Sequence, residues 1–61
     1  MNKSETREAL NAARYAAAGH HDMAARTLSF LYRASLRESA KRIILNVARD
    51  LGVADHPDFI I

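Results

Sequence analysis

The sequence contains no cysteine and no tryptophan, two glycines (Gly19 and Gly52) and one proline, Pro57. Without cysteine there is no disulfide, no thiolate metal centre and no cysteine nucleophile. So few chain-breakers predict long regular segments joined by short turns. No apolar run approaches the roughly 18 residues that a membrane-spanning helix requires. The stretch Met1 to Glu8 is polar and lacks the apolar core of a signal peptide, so a cytoplasmic location without membrane attachment is expected. No period of 20–50 residues recurs and no low-complexity segment is present. The formal net charge is +2, which argues against a partner held by charge alone.

What is present is globular in character. Hydrophobic residues make up 49% and charged residues 26%, outside the composition of a disordered chain. Sixty-one residues predict a single helical domain over 1–61. A chain of this size buries about 60% of its unfolded surface, so its core is small.

Three amphipathic helices are expected, at about 4–18, 22–34 and 36–51. Ser4 suits the first N-cap, with Glu5 and Glu8 where the helix dipole favours negative charge. Thr6, Ala9, Leu10, Ala12, Ala13, Ala16 and Ala17 share one face, and Tyr15 falls among the polar residues of the other. Gly19 is placed to end this helix in a left-handed conformation. The second helix has Asp22 placed to cap it and a narrow polar stripe of Asp22, Arg26, Ser29 and Arg33. The rest of its wheel, Phe30 and Leu31 included, is apolar or small. Such a wide arc needs neighbours on two sides, from a third helix or a second chain. Ser35 followed by Glu38 reads as a capping box that separates the third helix from the second, although no glycine or proline rules out one continuous helix. The third helix should bury Ala40, Ile43, Ile44, Val47, Ala48 and Leu51, with Leu45 exposed near its polar side and Gly52 as its stop. An all-α fold follows, a three-helix bundle or a helical hairpin plus third helix. Its short apolar C-terminal tail, Phe59 to Ile61, either folds back as a lid or packs on a second chain.

Chemistry-bearing constellations are thin. His20-His21-Asp22 and Asp55-His56-Pro57-Asp58 offer metal-ligand types without a ligand spacing, so no metal or cofactor is expected. No nucleophile elbow, phosphate-cradling glycine loop or carboxylate pair in an apolar context is present, and no catalytic residue is expected.

Two stretches resemble known families. Ala12, Tyr15, Gly19, Ala24 and Leu28 stand at spacings similar to the small, aromatic, glycine, alanine and large apolar positions of a tetratricopeptide repeat, over residues 12–31. Asn11 stands where that family prefers leucine and Leu31 where it prefers alanine. The resemblance implies a helical hairpin with a peptide or protein partner. Residues 35–53, from Ser35-Leu36-Arg37-Glu38 to Leu51-Gly52-Val53, are similar to the recognition helix of helix-turn-helix regulators. That resemblance implies that Arg37, Ser39, Lys41 and Arg42 face a DNA groove.

The leading functional expectation is a small non-catalytic helical module that self-associates, a dimer above all, as an adaptor, scaffold or inhibitor of a larger protein. Its self-association residues would be Phe30, Leu31, Leu45, Phe59, Ile60 and Ile61. The alternative is a small dimeric DNA-binding regulator that uses the basic face of the third helix.

Overall fold

The computed structural model describes residues 2–61. Three helices account for the described secondary structure: α1 (Lys3–Ala17), α2 (His21–Ala34) and α3 (Glu38–Asp50). The chain folds as an all-α three-helix bundle. Helix α2 is its centre. Both α1 and α3 pack against α2 and scarcely touch each other.

The two glycines stop helices as the sequence predicts. Gly19 has φ +87° and Gly52 has φ +75°. At the end of α1, the His20 amide donates to the Tyr15 carbonyl at 2.8 Å and the Gly19 amide to Ala16 at 3.0 Å. At the end of α3, Val53 donates to Ala48 at 2.9 Å and Gly52 to Arg49 at 3.0 Å. These are paired Schellman closures, which satisfy carbonyls that a bare helix end leaves open. Val53, the residue after the second closure, is fully buried.

The helix starts differ from expectation. Asn2, not Ser4, caps α1: its Oδ1 accepts from the Glu5 amide at 2.8 Å, while Glu5 Oε1 accepts from the Asn2 amide at 3.0 Å. The helix gains a turn-start two residues earlier because Glu5 stands three residues after Asn2, as a reciprocal capping box requires. No box forms between Ser35 and Glu38. Ser35 is the C-cap of α2, and its hydroxyl donates back to the Leu31 carbonyl at 2.8 Å, with Glu5 Oε2 at 3.4 Å. Arg37 stands at the start of α3 without a side-chain cap. The break between α2 and α3 is nonetheless real, three residues long. Asp22 likewise lies in the first turn of α2, with His20 at the cap position and no side-chain capping bond.

The core is built in two styles. Between α1 and α2 the fully buried residues are Ala12, Ala24 and Ala25, small side chains that let two backbones approach closely. Around α3 the buried residues are larger: Leu28, Ile44, Val53 and Phe59, with Ala48. Each outer helix keeps much of its expected face, with Ala9, Ala12 and Ala16 on α1 and Ala40, Ile44, Val47, Ala48 and Leu51 on α3 buried or packed against the core, but trades one large residue for another. Leu10 is half exposed, and Tyr15 packs against the core instead. A leucine in the alanine seam would hold α1 away from α2. On α3 the buried stripe runs through Ala40, Ile44 and Ala48, so Ile43 faces outward and Leu45 packs against the core.

Candidate functional site

The C-terminal segment does not cover α2 by its apolar arc. It lies on the stripe that hydropathy marks as polar. Ser29, expected to face water, is 5% exposed because its hydroxyl donates to the Ile60 carbonyl at 2.6 Å and accepts from the Ile60 amide at 2.9 Å. Arg26 Nε reaches Asp58 Oδ2 at 3.1 Å, and its guanidinium also lies 3.9 Å from Asp22. An extended segment carries unpaired backbone donors and acceptors, so it docks where side chains answer them. The Asp58 amide donates to His56 Nδ1 at 3.0 Å and fixes the turn that delivers Phe59. Phe59 enters the core edge-on to Tyr32, with ring centroids 6.3 Å apart and planes at 75°. The expected folding back of the tail holds for Phe59.

That docking separates the six expected self-association residues. Leu31 and Phe59 are buried within the chain, and Leu45 is packed against the same core. Phe30, Ile60 and Ile61 remain outside at 72%, 60% and 64% exposure. Leu36, which hydropathy groups with the α2 arc, lies past the end of α2 in the turn and is 96% exposed. Its exposure was within reach of the sequence once the helix break was placed at Ser35, since a residue beyond the break leaves the α2 wheel.

Phe30 and Ala34 form a ridge with an open groove on each flank. One groove, about 670 Å³, runs between the start of α1 and the α2–α3 turn, with Glu5 and Glu8 on one wall and Leu36 and Arg37 on the other. The second, about 470 Å³, runs between α2 and the tail and is lined by Arg26, Arg33, Asp58 and Ile60. Within the first groove Ser35 and Glu5 lie close together, but both are engaged in helix capping. Among the described residues, Glu8, Arg33 and Arg37 make no ion pair.

The four residues of the DNA reading lie at the N-terminal end of α3. Arg37, Ser39 and Arg42 are exposed. Lys41 is drawn inward: its ammonium sits 5.8 Å from the Tyr32 ring centroid and 3.9 Å from Glu38. Among the described residues no group of three or more histidine, aspartate or glutamate side chains converges as a metal site would require. No described helix is long and apolar enough to cross a membrane. No family model, curated protein or solved structure matches this chain.

Proposed function

We propose that this chain is a small non-catalytic helical interaction module that self-associates through the outer face of α2. One observation carries this reading: Phe30 stands 72% exposed on a ridge, beside the almost fully exposed Leu36 and the half-exposed Ile60. Elsewhere on α2, Ala24, Ala25, Leu28 and Leu31 are buried within the chain, while Met23 is 39% exposed. Single exposed apolar residues are ordinary on protein surfaces, but an aromatic ridge whose flanking grooves carry further exposed apolar residues is typical of contact sites. A contact of standard size, about 800 Å² per partner, would occupy about one-fifth of the 4235 Å² surface. A partner also adds apolar burial that a chain this short lacks.

Two measurements on one preparation test the reading. Light scattering at micromolar concentration should give twice the 6.8 kDa chain mass, and the melting temperature should rise with protein concentration. A chain of monomer mass whose melting is independent of concentration would sink the proposal. A parallel titration with duplex DNA at about 50 mM salt separates the alternative, because phosphate-driven binding by Arg37, Lys41 and Arg42 would be strong there and fall steeply with added salt.

A further inference from the structure

The two grooves beside Phe30 differ in charge, and this difference selects one arrangement for the second copy. We propose that two chains pair with their α2 helices parallel, about a two-fold axis that runs along the Phe30–Ala34 ridge. In that pairing, Arg33 of each chain meets the partner's Glu8. The inference rests on the self-association reading above and adds its geometry.

Arg26 already has Asp58 and Asp22, so among the described residues Arg33 is the cation of the groove beside the tail that makes no ion pair. Glu8, on the α1 wall of the other groove, accepts a hydrogen bond from Asn11 Nδ2 at 3.4 Å but has no ion pair among the described residues. Phe30 and Ala34 line both grooves, so Glu8 and Arg33 stand on opposite flanks of the same ridge.

Symmetry then decides which charge meets which. When two copies face each other across an axis parallel to α2, left and right exchange across the contact. The Glu8 flank of one copy lies over the Arg33 flank of the other, twice by symmetry. An axis crossing α2 at right angles keeps each flank over its own equivalent, with Glu8 against Glu8 and Arg33 against Arg33. Like charges set together at an interface are costly, whereas opposite charges fix its register. The parallel arrangement also places the two Phe30 rings on either side of the axis, at the centre of the contact, with Leu36 and Ile60 at its margins. Aromatic anchors at the centre with a polar rim are the usual division of labour in such contacts.

Charge reversal tests this directly. Glu8→Lys and Arg33→Glu are exposed substitutions that leave the Asn2–Glu5 cap and the Ser29–Ile60 bonds in place. Each variant alone should self-associate at least about tenfold more weakly than the unaltered chain in sedimentation equilibrium, because each sets like charges together at both symmetric sites. An equimolar mixture of the two should associate as the unaltered chain does, since both contacts of the mixed pair are then opposite in sign. The double variant E8K/R33E should also recover, with its contacts reversed. Helical circular dichroism identifies any variant that fails to fold, and the double variant carries the test in that event. An unaltered chain that dimerises while both single variants dimerise equally well overturns the parallel geometry and leaves self-association standing. Recovery by neither the mixture nor the double variant also overturns it. A monomeric unaltered chain overturns both.

Discussion

The two flanks of α2 use their side chains in opposite ways. On one flank the polar residues Arg26 and Ser29 are engaged by the chain itself, the first at Asp58 and the second at the Ile60 backbone. On the ridge beside them the aromatic Phe30 stands 72% exposed. A wheel that sorts residues into water-facing and core-facing classes reverses both positions. The reason is that the covering element is a short irregular segment and not a helix. A helix satisfies its own backbone and needs only apolar contact from a neighbour. A segment such as Asp58 to Ile60 needs hydrogen-bonding partners, and a polar stripe supplies them. The polar flank is therefore a clip for the tail, and the chain leaves the apolar ridge uncovered.

The largest effect on the fold is expected at Phe59. Its ring is 7% exposed and is the one large apolar group that the tail contributes to the core. Phe59→Ala should cost about 3–5 kcal/mol through lost burial and a residual cavity. In a chain with stability near the low end of the usual range, about 5 kcal/mol, that removes most of the margin. The melting temperature should fall by at least about 12 °C. A fall of only a few degrees would mean that the tail is dispensable and that its flank of α2 is as open as the ridge.

Ser29→Ala is a sharper and smaller test. It removes both bonds to Ile60 while leaving Phe59 in the core. Ile60 is 60% exposed, so water replaces much of what is lost, and the cost should be about 1 kcal/mol. Hydrogen exchange at the Ile60 amide should accelerate markedly more than exchange in the middle of α2. Unchanged exchange at Ile60 would show that Phe59 alone holds the tail and that the polar stripe is incidental to its docking.

Much of the frame was legible in the sequence, and the reasons are local. Gly19 and Gly52 end helices because the backbone there takes a positive φ, a requirement visible from residue type and position. The break before α3 was legible too, though through a different role for Ser35, which closes α2 and does not open α3. The exchange of large residues on α1 and α3 was not legible. Which large residue of each helix packs inward depends on the helix it meets, and this is a property of the pair and not of either wheel. The candidate surface was legible in part: Phe30, Ile60 and Ile61 lie outside, while Leu31 and Phe59 are taken by the core. Glu8 and Arg33 sat on polar faces with nothing local to single them out. Their distinction arises from the ridge between them, which exists only once α1 and the tail have docked on opposite flanks of α2.

The smallest effect on the fold is expected at Phe30, 72% exposed on α2. Phe30 contributes little to the core of a single chain, and serine has a helix propensity close to that of phenylalanine. Phe30→Ser should therefore change the stability of the isolated chain by no more than about 0.5 kcal/mol. Phe30 and Phe59, one outside the core and one within it, should differ by about 3 kcal/mol or more in what their removal costs the monomer. At high protein concentration the contrast should narrow, because Phe30→Ser also removes the centre of the proposed contact. Melting of the unaltered chain should rise with concentration, whereas melting of the Phe30→Ser variant should stay flat. If the variant melts well below the unaltered chain even at the lowest concentration, Phe30 supports the fold itself and the two flanks of α2 are less different than their exposures indicate. If both chains rise together with concentration, association runs through another face, and the ridge is bare for a reason unrelated to self-contact.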